Sequence, residues 1–199
     1  MSLFDFSNDV ILENSRALLR PLAPTDTENL LYFSLNEPTI WKYSLIQANG
    51  EDNLKKYIDI ALKARREQKE YPFIVFDKLK NKYAGSTRFY DIQLKNQSLQ
   101  VGFTWYGSEF QGTGLNKHCK FLLLKYAFEK MNMERVEFRA DYANERSIAA
   151  MKSIGCQVEG VLRSHGLKPD GSRRDSIILS ILKEEWENSV KENLLKKLI

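Results

Sequence analysis

Gln111-Gly112-Thr113-Gly114-Leu115-Asn116 is the stretch of this sequence best equipped to do chemistry. The residues before it, Leu99 to Tyr106, are rich in aromatic and β-branched side chains and predict a strand. Those after it put Leu115, Cys119, Leu122, Leu123 and Tyr126 at helical spacing, which predicts a helix from Leu115 to about Met131. A strand, a glycine-bearing turn and a helix start together make a place for an anion. The glycines let the backbone bend and approach a ligand closely, and the first helical N–H groups have no partner inside the helix. The helix dipole adds attraction for a phosphate. Simply turning the chain is the alternative task for Gly112 and Gly114. The spacing matches neither a P-loop nor G-x-G-x-x-G.

Other candidates are few. Cys119 and Cys156 are the only cysteines and His118 and His165 the only histidines, with no Cys/His cluster, so no metal site is expected. Thiols in apolar surroundings predict buried free cysteines in a reducing compartment. Trp41 and Tyr43 lie in an irregular stretch after the first predicted helix, and Arg88 and Tyr90 alternate onto one face of a predicted strand. Core packing explains the aromatics as well as binding does. Arginine is rarely buried unpaired, so a ligand carboxylate or phosphate is one partner to consider for Arg88.

These residues must be positioned by a chain of 199 residues, long enough for one domain with its own core. Its 43% hydrophobic and 28% charged residues are those of a globular protein. A net charge of +4 is too small and too scattered to argue for nucleic acid. No apolar run reaches membrane-spanning length and the N-terminus lacks a signal-peptide pattern, so a cytoplasmic monomer or homodimer is expected.

Residues 1–9 read as a loose lead-in. A strand is expected within Val10 to Leu22, ended by Pro21. A helix from Asp26 to about Leu35 follows, capped by Thr25 or Asp26. A second helix from Asp52 to about Gln68 carries Leu54, Tyr57, Ile58, Ala61 and Leu62 as one stripe. Strands over 72–76, 83–92 and 99–106 suggest an antiparallel meander. After the turn and helix, Arg135 to Tyr142 alternates strictly, with Val136, Phe138, Ala140 and Tyr142 on one face. Asn144 to Ile154 predicts a helix with Asn144 as N-cap and Gly155 just past its end. Strands near 158–167 and 174–182 are joined by Pro169-Asp170-Gly171, and an amphipathic helix over 183–199 closes the chain. The order describes an α+β, mixed α/β fold: a mostly antiparallel twisted sheet of about seven strands with helices on both faces.

Gln111-Gly-Thr-Gly114 resembles the Gln/Arg-x-x-Gly-x-Gly/Ala signature of the GNAT N-acetyltransferases, with Asn116 where that family usually has Gly or Ala. Asn144-x-x-Ser147 followed by Gly155 is similar to a second element of the family. The ending Arg174-Asp175-Ser176, Ser180 and Glu185-Trp186 resembles the RimJ/RimL-type branch, whose named members acetylate N-termini of ribosomal proteins. The resemblance runs from about residue 11 to 187. It implies acetyl-CoA as co-substrate, with its pyrophosphate on residues 111 to 116, namely Gln111, Gly112, Thr113, Gly114, Leu115 and Asn116. Phe103, Thr104 and Trp105 would line a splayed strand whose free backbone groups pair with the pantetheine arm. Asn144 would bond the pantetheine and Ser147 would sit near the thioester sulfur. Helix capping is the plain alternative for Asn144, and a hydroxyl with no task is that for Ser147. Trp41, Tyr43, Arg88 and Tyr90 would wall the acceptor pocket.

The implied reaction is attack of a neutral amine on a thioester, with the leaving thiolate protonated. Where many family members supply that proton from a tyrosine, this sequence has Met151, and where some carry an acid it has Gln100. Asp91, Glu109 and His165 are the remaining candidates for a base, His165 by virtue of its ordinary pKa. A terminal α-amine, with a pKa of about 7.7–8.0, is about a tenth neutral near pH 7, whereas a lysine needs about 3.5 kcal/mol more to lose its proton. An enzyme without a strong base therefore suits a peptide or protein N-terminus, with polyamines, amino sugars and amino acids as alternatives. A CoA-binding module without catalysis, and a nucleic-acid-binding domain, are the competing classes. No nucleic-acid motif supports the latter.

Overall fold

Alternating and β-branched runs form eight strands: β1 (Leu12–Glu13), β2 (Ala17–Pro21), β3 (Tyr71–Asp77), β4 (Lys82–Gln93), β5 (Ser98–Tyr106), β6 (Arg135–Asp141), β7 (Gln157–Leu167) and β8 (Arg173–Leu182). In the computed structural model, which describes residues 4–198, they make one sheet in the order β1-β2-β3-β4-β5-β6-β8-β7. Neighbours are antiparallel except β5 and β6, which run parallel. Parallel neighbours need a crossover, and α3 (Leu115–Glu129) provides it. The other helices are α1 (Asp26–Asn36), α2 (Glu51–Arg66) and α4 (Glu145–Ser153), with a closing segment of α5 (Lys183–Glu185), a π-helical turn (Trp186–Val190) and α6 (Lys191–Leu195).

Successive strand residues face opposite sides, so Thr104 and Trp105 identify the two layers. The Trp105 ring meets Trp41 at 4.6 Å and Phe33 of α1 at 5.9 Å, and Trp41 in turn meets Tyr57 of α2. Thr104 meets Lys120 of α3 on the other face. The fold is thus the expected mixed α/β sheet with helices on both sides. Its eighth strand is the two-residue β1, too short to announce itself by periodicity.

Four expectations are corrected. Residues 4–9 are not loose: Phe6 is buried, and the Phe4 ring lies 5.4 Å from that of Tyr71. Met1 to Leu3 and Ile199 fall outside the described residues. Thr25 precedes α1 without a side-chain capping bond, and Asp26 instead accepts from the backbone N–H of Ala23 at 2.8 Å and from Arg20 at 2.6 Å. That ion pair ties the helix start to β2. Tyr142 leaves the buried face of its strand and is 56% exposed, because the chain turns after Asp141 toward α4. The closing helix is broken in type by its π turn, which seats Trp186 against Phe121 and Phe128 and Val190 over Gly155.

Candidate functional site

The site begins where two strands part. β5 and β6 pair only at Ser98–Arg135, Leu99–Val136 and Gln100–Glu137. Beyond Gln100, β5 keeps its ladder with β4 and β6 keeps its ladder with β8, so the facing edges diverge into a wedge. A β-bulge helps to open it. The β4–β5 register shifts between Ser86 and Arg88, opposite Phe103 and Thr104, and Phe103 takes a left-handed φ of 49°. Phe103, Thr104 and Trp105 thus lie along an edge that β6 leaves unpaired, where the Phe103 carbonyl accepts from the Tyr57 hydroxyl at 3.3 Å and an extended ligand could be accepted as another strand would be.

At the end of the same strand lies the glycine turn. Gly112 and Gly114 have φ of 75° and 89°, and a Cβ at either would meet nothing within 4 Å. The glycines are therefore dictated by backbone conformation and leave open space above the turn. Among the described residues no acceptor is found for the N–H groups of Gly112, Thr113, Gly114, Leu115 and Asn116. The turn is nevertheless held. Gln111 Nε2 donates to the Tyr106 carbonyl at 2.8 Å, Thr113 Oγ1 donates to the Phe110 carbonyl at 2.8 Å, and Arg146 of α4 donates to Gln111 Oε1. A row of unpartnered N–H groups at the start of a 15-residue helix fits a pyrophosphate, and the free edge of β5 fits the amide-bearing arm behind it.

Asn144 caps α4, its Oδ1 accepting from the backbone N–H of Ser147 at 3.1 Å. Ser147 is half-buried in the first turn of that helix. Met151, further along it, is buried.

On the α1–α2 face, Phe103 brings Arg88 and Tyr90 together. The Arg88 guanidinium lies 4.1 Å from the Phe103 ring and 4.6 Å from the Tyr57 ring, and the Tyr90 ring lies 5.2 Å from Phe103. Arg88 is fully buried and pairs with Glu70 at 2.7 Å, while its Nε and Nη2 have no partner. Burial pushes the Tyr90 hydroxyl up to about 12. Trp41 is packed into the core against Trp105 and Tyr57, and Tyr43 is half-buried under the Lys42 ammonium. Trp41 therefore serves packing, as sequence allowed.

The candidate bases are dispersed. Glu109 is tied to Lys80 and Lys82 at the surface, and its hydrogen bond to Lys80 holds its pKa below the usual range. Asp91 accepts from Gln100 Nε2 at 2.8 Å, beside a polar cleft of about 230 Å³ that also takes in Glu137 and Arg139. His165 is exposed on the edge strand β7, its Nδ1 3.1 Å from Ser176 Oγ.

One residue of the wedge escaped the sequence reading. Lys120 of α3 is 5% exposed, and its Nζ donates to Thr104 Oγ1 at 2.8 Å. Desolvation brings its pKa down to about 8. The available signal was a lone cation inside the otherwise apolar run Cys119 to Leu124. Cys119 and Cys156 are buried free thiols, as expected, each pushed up to about 12 by burial. Among the described residues no group of three or more potential ligands gathers for a metal, and no helix is long and apolar enough to cross a membrane.

The profile of the acetyltransferase (GNAT) domain matches residues 16–157. YdaF of Bacillus subtilis, which bears the name of a ribosomal N-acetyltransferase, is 34% identical over 103 residues, 52% of this chain and 55% of YdaF. The chain thus aligns with about half of that relative's length. The uncharacterized N-acetyltransferase p20 of Bacillus licheniformis is 25% identical over 180 residues, covering 88% of this chain and 97% of p20. Among solved structures, an acetyltransferase from T. thermophilus superposes with a TM-score of 0.87 at 30% identity, covering 100% of both chains.

Proposed function

As a member of the GNAT acetyltransferase family, this chain is an acetyl-CoA-dependent N-acetyltransferase, and we propose that its acceptor is the N-terminal α-amine of a peptide or protein. The observation that carries the transferase site is the joining of two features by one strand: β5 opens into the wedge at Phe103 and leads directly to the turn at residues 111–116. Acetyl-CoA, when bound, supplies an acetyl group activated as a thioester.

The chain's own residues then divide the work. The N–H groups of Gly112 to Asn116 receive the pyrophosphate charge, helped by the dipole of α3. The backbone edge of Phe103 to Trp105 orients the pantetheine arm, and a free N–H there stabilises the developing oxyanion. Asn144 secures the start of α4 and contacts the same arm. Ser147, in the first turn of that helix, stands near the sulfur. Arg88 and Tyr90 lie on the acceptor side, where the unpaired Nε and Nη2 of Arg88, buried behind the Tyr57 and Phe103 rings, would meet a carbonyl or carboxylate of a peptide only once those rings move aside.

The α-amine is favoured by the scarcity of bases. Gln100 and Met151 do not titrate, and Glu109 is engaged by lysines. An acceptor that is already about a tenth neutral near pH 7 relieves the site of that task. The name of YdaF is in keeping with a ribosomal protein as acceptor.

Acetyl-CoA turnover is to be measured with matched peptides, one with a free α-amine and one blocked at the terminus and offering only lysine. The free terminus should give the higher kcat/KM, rising with pH until the acceptor's own pKa. A rising limb whose midpoint stays fixed when the acceptor's pKa changes would assign that limb to an enzyme base, Asp91, Glu109 or His165, and remove the base-free mechanism. Turnover only with polyamine, amino sugar or amino acid would replace the acceptor class. Binding of acetyl-CoA without turnover on any amine would leave a CoA-binding sensor or scaffold.

A further inference from the structure

We propose that Lys120 is the proton donor to the departing coenzyme A thiolate, the task for which α4 carries no tyrosine. The assignment rests on the transferase reading above and adds to it a residue outside the glycine turn and the α4 cap.

The placement is specific. Lys120 Nζ donates to Thr104 Oγ1 at 2.8 Å and lies 5.7 Å from the centre of the Phe138 ring. Thr104 belongs to β5 and Phe138 to β6, and both lie past Gln100–Glu137, the last rung the two strands share. The ammonium therefore floors the opening of the wedge, on the α3 face. An extended ligand running from the glycine turn along the free edge of β5 passes over that floor.

The surroundings make a purely structural role costly. Facing Lys120 are Thr104 of β5, Thr87 of β4 (its Oγ1 2.7 Å from that of Thr104) and Phe138 of β6. The titratable groups acting on it are Cys119 of its own helix and Cys156 ahead of β7. Both thiols keep their protons to about 12, so neither supplies a counter-charge near neutral pH. Arg88, by contrast, has Glu70. A buried cation with one hydroxyl acceptor is disfavoured against an apolar residue of the same length, and this position sits in an apolar run that would take one readily. An ammonium lowered to about 8 by desolvation is also close to the pKa at which a general acid is most effective near neutrality.

The step balances. The amine nitrogen bonds to the acyl carbon, the carbon–sulfur bond breaks, and its electron pair leaves on sulfur. Lys120 Nζ gives that sulfur a proton. The proton shed by the new amide nitrogen passes to solvent, from which Nζ is restored.

The test uses Lys120→Met, which keeps length and packing, and Thr104→Val, which keeps shape and removes the hydroxyl that accepts from the ammonium and pairs with Thr87. General acids contribute on the order of 10²–10⁴ in rate, so Lys120→Met should lower kcat about 100-fold or more. Its KM for acetyl-CoA should stay within about threefold, and the fall of kcat above about pH 8 should vanish. Thr104→Val should move that fall to lower pH, because the ammonium loses its one acceptor. A second readout needs no turnover. By calorimetry, wild type should bind coenzyme A about tenfold more tightly than desulfo-coenzyme A, and Lys120→Met should bind the two alike, since a group interacting with sulfur is worth about the strength of one charged hydrogen bond. An unchanged sulfur preference in Lys120→Met, or kcat retained with its high-pH fall intact, overturns the assignment of Lys120 alone. Wild type that binds neither ligand overturns the transferase reading, and this assignment with it.

Discussion

Gln111 joins the glycine turn to the strand before it: its Nε2 donates to the Tyr106 carbonyl at 2.8 Å while its Oε1 accepts from Arg146 of α4. One amide side chain thus holds β5, the turn and the next-but-one helix in a single geometry. The backbone N–H groups that follow are left facing open space rather than collapsing onto a neighbouring carbonyl.

Gly114 tests what that geometry is for. Its φ of 89° and the open space above it mean that a side chain there meets backbone strain but no clash. Gly114→Ala should lose about 1–2 kcal/mol of stability from the left-handed conformation alone. Gly114→Asp should add a carboxylate against the phosphates and weaken acetyl-CoA binding at least tenfold beyond the alanine variant. Calorimetry giving the two variants equal affinity would remove the phosphate role from this turn.

Asn144 and Ser147 share one hydrogen bond but should fail differently. Asn144→Ala removes the acceptor for Ser147 N–H, a cap worth about 1 kcal/mol, and should lower Tm by about 2–4 °C together with cofactor affinity. Ser147→Ala keeps the backbone donor, so Tm should hold while kcat falls. Thermal melts and kinetics on both variants decide it. Equal losses of Tm with no kinetic difference would contradict both roles.

Arg88, fully buried, and Glu70, partly exposed, form a pair that should be asymmetric to mutation. Glu70→Ala strands a guanidinium that is fully buried between the Tyr57 and Phe103 rings, and should cost about 3–5 kcal/mol. Arg88→Met, which removes the charge and keeps apolar bulk, should cost less and raise the KM for the acceptor more than that for acetyl-CoA. Urea denaturation ranks the two stabilities. The reverse order would mean that Glu70 does not compensate the burial of Arg88.

Lys120 should also leave a signature in stability against pH. Its native pKa of about 8 lies below the ordinary lysine value of about 10.4. Between those values the unfolded chain holds a proton that the native chain has lost, so this group makes stability rise with pH across that window. Cys119, Cys156 and Tyr90, each raised to about 12, act in the opposite sense as their unfolded counterparts ionise first. Those contributions are common to wild type and Lys120→Met and cancel in the difference. Wild type should therefore gain on the variant between about pH 7.5 and about pH 10 in denaturant midpoint. Parallel curves would show that Lys120 is not desolvated in the native state.

Elements with a local cause were legible in the sequence. Hydrophobic period separates helix from strand within a dozen residues, which is why β3 to β5, α3 and α4 fall within a residue or two of expectation. The Asn144 cap and the Pro169-Asp-Gly171 hairpin, closed by Lys168 N–H to the Ser172 carbonyl at 2.8 Å, are likewise local chemistry. So is the glycine turn, because a left-handed φ is a property of one residue. The same sequence also carried the family.

What only the tertiary structure decided depends on residues far apart in the chain. The wedge exists because β6 follows β8 rather than β5 beyond Glu137, a choice of register that no strand contains in itself. Glu70 becomes the partner of Arg88, and Trp41 a core residue, only once α2 and β5 close over them. Lys120 reads as one more helix lysine until Thr104 and Phe138 enclose it. Burial, and with it the desolvation that alters a side chain's chemistry, is set by packing between elements, and a pattern along one element reports only which way its residues point.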